Sequence, residues 1–178
     1  MLSKRIEANE GTVPEDWELK VLGAHNRYDA GLALAVARVL GIPDTVSRDA
    51  LEAFAGVPGR LELVRTVNGV DFYNDTTATT PDATLAALRA LPTGRTILLM
   101  GGADKGLAMA ELLESIPTLT KNVVLLEGTG TSRIKNDLSN APVYETMQAA
   151  LTAAVQTAED GDTVLLSPAF ASFGMFKN

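Results

Sequence analysis

The rhythm of apolar and polar positions changes along the chain. Before residue 60 the apolar residues recur at helical spacing. A helix is expected from about Arg27 to Leu40, stopped by Gly41 with Pro43 just beyond. A shorter helix is expected from about Arg48 to Ala55, with Ser47 as its N-cap. Residues 1–20 are charged and weakly periodic, and read as the tail of something that begins earlier. The segment Gly56-Val57-Pro58-Gly59 breaks the pattern and marks the expected boundary between a region 1–56 and a region 57–178.

Beyond that boundary, short apolar runs alternate with amphipathic stretches. Leu61 to Val67 and Val70 to Tyr73 read as strands joined by a hairpin turn at Asn68-Gly69, since both residues tolerate positive φ. A helix from Pro81 to about Leu91 has Thr80 as its cap and proline at its first position. Strands are expected at Ile97 to Met100, Val123 to Leu126, Val143-Tyr144 and Thr163 to Leu166. Helices are expected at about Ala108 to Ser115, Ser132 to Leu138 and Met147 to Ala158. Continuous apolar strands between helices indicate a parallel sheet covered on both faces. The expected class is therefore α/β: a doubly wound, mostly parallel sheet, preceded by a helical segment. Ligands in such folds sit at the carboxyl ends of the strands. That rule points to residues 74–80, 101–106, 127–131 and 167–173.

Composition narrows the chemistry. The 178 residues are 46% hydrophobic and 21% charged, and contain no cysteine. Disulfides, zinc-thiolate sites and thiol nucleophiles are excluded. A net charge of −7 without any basic run argues against nucleic acid as a partner. No apolar run reaches the length of a membrane span, so no membrane partner is expected. A cytoplasmic setting fits these features.

Five clusters are able to carry chemistry. Gly23-Ala24-His25-Asn26 holds the only histidine. It reads as a helix start with Asn26 as cap, and equally as a polar group facing a nucleotide. Arg60 follows the Gly-Pro break, where it is either a solvated strand-start residue or a phosphate ligand. Residues 74–81 form a polar loop before a helix, fit for an anion, with Asp75 able to accept from sugar hydroxyls. Gly101 to Gly106 lets backbone approach a ligand and adds the charge of Lys105, but it is not a Walker A loop. Residues 165–173 place small and hydroxyl residues after the last strand.

In order and spacing, these clusters resemble the Mur ligase family from about residue 19 to the end. The matching phrases are G-x-H-N at 23–26, G-V-P-G-R-L-E at 56–62, N-D-T-T-A-T-T-P at 74–81, G-G-A-D-K-G at 101–106, and L-L-S-P-A-F-A-S-F-G-M-F-K-N at 165–178. The last resembles the family's D-glutamate-adding branch in particular. The resemblance implies the C-terminal part of an ATP-dependent amide ligase of peptidoglycan precursor synthesis. In that family ATP phosphorylates the carboxylate of a nucleotide substrate, here UDP-N-acetylmuramoyl-L-alanine, and the amine of glutamate then attacks.

The implied roles are as follows. His25, Asn26 and Asp29 lie near the adenine, Arg60 contacts phosphate, and Asp75 contacts the ribose. Thr77, Thr79, Lys105, Ser172 and Phe173 bind the amino acid, with Arg60 and Lys105 counted as catalytic. ATP and Mg2+ are the implied cofactors, with the metal ligands outside this chain and no metal site within it. Region 1–56 is then the last part of a central ATP-binding domain and region 57–178 a glutamate-binding domain. The parent is expected to be a monomer, and the chain alone is expected to be inactive. Gly59, Asp29, Thr77 and Phe170 depart from the family pattern of His, Asn, Lys and Cys. An L-glutamate-adding ligase and a non-catalytic nucleotide- or glutamate-binding module therefore remain open.

Overall fold

A computed structural model of the chain describes residues 7–172. It divides into two compact units, Met1–Gly56 and Val57–Asn178.

The first unit is a short 3-10 turn, Glu10–Thr12, followed by helices α1 (Ala24–Val39) and α2 (Asp44–Ala53). Val13, Trp17, Ala30 and Leu34 form its small core. Arg27 closes it by donating to the carbonyls of Val13 (3.0 Å) and Pro14 (2.5 Å). Helix α1 begins three residues earlier than its spacing predicts, and its cap is Gly23 rather than Asn26. Asn26 lies in the first turn, where its amide donates to the Leu22 carbonyl at 2.7 Å. Helix α2 also starts early. Ser47 sits inside it, buried, not at its cap. Pro43 fixes the entry to α2, and Asp44 in its first turn pairs with Arg38 at 2.6 Å. Leu32, Val36, Val39 and Leu40 of the first unit remain exposed.

The second unit is a six-stranded sheet of order β1-β2-β6-β3-β4-β5. Its strands are β1 (Glu62–Val67), β2 (Val70–Asn74), β3 (Thr96–Gly101), β4 (Thr120–Leu126), β5 (Val143–Tyr144) and β6 (Thr163–Leu166). Among these described strands, β1 and β2 pair antiparallel and the other neighbours parallel. Its turn puts Asn68 at φ 49° and Gly69 at φ 74°, the twist that suits a tight hairpin. The helices are α3 (Pro81–Arg89), α4 (Ala110–Leu119), α5 (Thr129–Ile134) and α6 (Met147–Thr157). Thr80 caps α3 through the Ala83 N–H, with Pro81 opening the helix. Helix α5 starts three residues before its predicted position, because Gly128 ends the strand and begins the turn.

Alternation along the strands sorts the core into two layers. Leu98, Met100, Leu125 and Leu165 face Leu85 and Leu88 of α3, Leu112 and Ile116 of α4, and Ile134 of α5. Ile97, Leu99, Val124, Leu126 and Val164 face Ala150 and Ala154 of α6. Both layers are apolar, which is why these strands read as unbroken hydrophobic runs. The doubly wound, mostly parallel sheet is the class expected from the sequence.

At the amino ends of the strands, Asp162 is buried between two cations. Lys121 Nζ donates to its Oδ2 at 2.6 Å, and Arg95 Nη2 stands 3.0 Å from Oδ1. Burial alone would raise the Asp162 carboxyl. The Lys121 bond, the Glu159 N–H and both cationic charges outweigh it and hold the carboxyl below its ordinary 3.8. Lys121 is raised above its ordinary 10.5 by Asp162 and then Glu159. A depressed acid stabilises the fold above its unfolded value and loses that contribution as pH falls through the folded value. A raised base contributes below its unfolded value and loses the contribution as pH climbs through the folded one. Stability should therefore hold from about pH 4 to pH 10 and fall on both sides. Thermal melts across pH check this: Asp162→Asn should flatten the acid flank, and an unchanged flank would remove Asp162 as its source.

Candidate functional site

The carboxyl ends of the parallel strands gather three polar loops, and each is fixed by a different device. The loop after β2 turns on Asp75, which is only 4% exposed. Its Oδ1 accepts from the Leu61 N–H at 2.9 Å, and its Oδ2 accepts from the Ser167 hydroxyl at 2.7 Å. Ser167 Oγ in turn lies 2.9 Å from Thr84 Oγ1. A buried carboxylate must be met by donors. Here they come from the strand-start turn and from the loop after β6. The Leu61 N–H is presented from a backbone at φ 43°, an uncommon conformation for a residue with a branched side chain.

This placement changes the reading of Asp75. Its carboxyl group is buried and ties two segments of the fold together. Thr77 differs in the same way. Its hydroxyl donates to the Gly59 carbonyl at 2.9 Å, and its N–H donates to the same oxygen at 3.0 Å. The hydroxyl proton is thus committed to the strand-start turn and does not point to a carboxylate ligand. Arg60, next in that turn, is exposed.

The loop after β3 is held by its own backbone. Ala103 and Ala171 form an isolated antiparallel bridge, with N–H to carbonyl distances of 2.8 and 3.1 Å. Gly102, at φ 141°, lies where a Cβ would run into the Ala171 carbonyl. What closely approaches the Gly102 backbone, expected to be a ligand, is the loop after β6. Phe170, where the family pattern has Cys, is buried and packs its ring onto Gly130 in the α4-side core.

One contact joins the sequence-predicted ligands. Lys105 Nζ donates to Thr79 Oγ1 at 3.1 Å, across the loops after β3 and β2. Ser172 is exposed and directly follows Ala171, whose bridge partner stands two residues before Lys105. An ammonium and two hydroxyls therefore share one edge of the sheet, a donor set suited to a carboxylate. Phe173 lies outside the described residues.

Sequence reasoning missed Arg133. It donates through Nη1 to Asp104 Oδ1 at 2.9 Å and through Nη2 to the Leu107 carbonyl at 2.8 Å. The Gly106 N–H first, and Arg133 after it, hold the Asp104 carboxyl below its ordinary 3.8. No spacing rule flags an arginine whose partner is a loop aspartate far along the chain. Thr84, whose hydroxyl meets Ser167 from inside α3, was missed as well.

In the first unit, His25 and Asn26 are half-buried in the first turn of α1, and Asp29 is exposed one turn on. Their spacing places the three on adjacent parts of the helix surface. Among the described residues no group of three or more His, Asp or Glu comes together that could hold a metal ion. No described helix is long and apolar enough to cross a membrane.

A mostly parallel α/β sheet with helices on both faces is a domain of the doubly wound class. A family model described as "Mur ligase, glutamate ligase domain" matches residues 59–170, and the chain belongs to this family. It is 39% identical over 168 residues to the UDP-N-acetylmuramoylalanine--D-glutamate ligase of Roseiflexus sp., covering 90% of this chain and 36% of that protein. With the Pseudomonas aeruginosa ligase of the same name it shares 41% identity over 167 residues, covering 90% and 37%. Escherichia coli FolC, solved in complex with ADP, superposes with a TM-score of 0.62 at 26% identity, over 82% of this chain and 36% of that one. The chain thus spans little more than a third of the length of these relatives.

The Asp75 knot should be worth more than a surface bond. Asp75→Ala leaves the Leu61 N–H and Ser167 hydroxyl unmet inside the fold, at a cost of about 2–3 kcal/mol. Denaturant unfolding should show it; a loss within about 0.5 kcal/mol would mean that water takes the carboxylate's place.

Proposed function

We propose that the chain is the C-terminal part of an ATP-dependent ligase that joins D-glutamate to UDP-N-acetylmuramoyl-L-alanine. On this reading Val57–Asn178 binds glutamate, and Met1–Gly56 is the last part of a central ATP-binding domain. The carrying observation is the 3.1 Å approach of Lys105 to Thr79 at the carboxyl edge of the sheet. The names of the relatives at 39% and 41% identity support the reaction and the enantiomer. The ADP in the FolC structure supports ATP as the nucleotide.

The residues suggest a division of labour. Lys105 supplies the positive charge for a glutamate carboxylate, while Thr79 and Ser172 supply hydroxyl donors. Holding the amino acid by its carboxylates leaves its amine free to attack. ATP, when bound, supplies the activation of the acceptor carboxylate. Arg60 would meet its phosphate charge, and His25, Asn26 and Asp29 its base. Mg2+ would be held by residues outside this chain.

Titrating D- and L-glutamate into the isotope-labelled chain, followed by NMR, tests the reading. The D form should shift Thr79, Lys105 and Ser172 and bind more tightly than the L form. Lys105→Ala should weaken it about tenfold, as for loss of a charge-assisted contact. An unchanged affinity would remove Lys105 from the site, and equal affinity for the enantiomers would remove the D-glutamate assignment.

A further inference from the structure

The loop that carries Lys105 is clamped by α5, and we infer that Arg133 is a positioning residue for Lys105. This rests on the glutamate-binding reading of the same site. The loop between β3 and α4 runs through eight residues, 102–109, without regular hydrogen bonding apart from the single Ala103 bridge. Lys105 sits near its middle, and a long ammonium side chain on an unsupported loop would sample many positions.

Helix α5 meets this loop at four points. The Gly130 N–H donates to the Gly102 carbonyl at 2.9 Å, at the start of the loop. Thr129 Oγ1 accepts from the Asp104 N–H at 2.9 Å. Arg133 then grips both sides of Lys105 with one guanidinium: Asp104 Oδ1 just before it and the Leu107 carbonyl two residues after it. Asp104 Oδ1 also accepts from the Gly106 N–H at 2.9 Å, which folds the backbone back around Lys105. The residues on either side of Lys105 are therefore tied to one rigid fork, and its ammonium is left to reach Thr79.

Arginine suits this task because its planar fork donates in two fixed directions. Lysine could keep the contact with Asp104 but not the second one to Leu107. Glutamine lacks the charge and the reach. Arg133 is itself partly exposed, at 38%, so its worth lies in restricting the loop rather than in stabilising the fold.

The test compares the chain with its Arg133→Gln and Arg133→Lys variants. Three readouts are used: amide hydrogen exchange, NMR titration of the Asp104 carboxyl, and the D-glutamate titration. In Arg133→Gln, the amides of Asp104 and Gly106 should exchange roughly tenfold faster, with the β3 amides Leu98 to Met100 unchanged. Asp104 should titrate at higher pH, and glutamate affinity should fall about fivefold. Arg133→Lys should recover part of all three.

Unchanged loop exchange in Arg133→Gln overturns the clamp. Faster loop exchange with undiminished glutamate affinity overturns the positioning of Lys105. Acceleration spreading to the β3 amides overturns it too, by showing a general loss of stability. Should the unaltered chain take up no glutamate, the glutamate reading fails, while loop exchange and the Asp104 titration still decide whether Arg133 holds the loop.

Discussion

At the carboxyl edge of the sheet, the loops after β2 and β6 depend on one buried carboxyl group. Asp75 stands at the end of β2 and draws in the turn before β1 through Leu61 and the loop after β6 through Ser167. These segments are far apart in sequence and would otherwise be free at their ends. A carboxyl group excluded from water is tolerated only when its oxygens are hydrogen-bonded. Meeting that requirement brings the Arg60 turn, the Thr79 loop and the Ser172 loop into one frame. The apolar layers build the sheet; the polar knot decides how its loops are arranged.

Much of the second unit was legible in the sequence, because its signals are local. Thr80-Pro81 names a helix start, Asn68-Gly69 a hairpin, and four unbroken apolar runs a sheet buried on both faces. The errors have physical causes as well. Asn26 and Ser47 have side chains that cap helices, yet each bonds instead to a carbonyl four residues back, Leu22 and Pro43. A polar side chain one turn into a helix has that choice, and sequence alone does not say which it takes. Asp75 reads from the sequence as an acceptor for sugar hydroxyls; the hydroxyl it meets in the fold belongs to Ser167, 92 residues along the chain.

The departures from the family pattern also acquire structural reasons. Thr77 gives up a positive charge but bonds twice to the Gly59 carbonyl, so the position still works on the Arg60 turn. Gly59 takes φ 74°, which a side chain resists, and its N–H finds Glu62 at 2.8 Å. Phe170 fills core volume that Gly130 leaves open. The changes at 59 and 77 concern the support of a loop, and nothing in the structure explains Asp29; Lys105 is left as the charged residue among the expected amino-acid ligands.

The bridge between Ala103 and Ala171 has a thermodynamic consequence. It couples the loops after β3 and β6 through backbone alone, before any ligand arrives. The configurational entropy of fixing the two bridged residues is therefore lost during folding and not at association. A small dianion entering such an edge meets donors already in place, so more of its contact energy survives as affinity. Its binding should also bury little apolar surface, and the accompanying change in heat capacity should be correspondingly small.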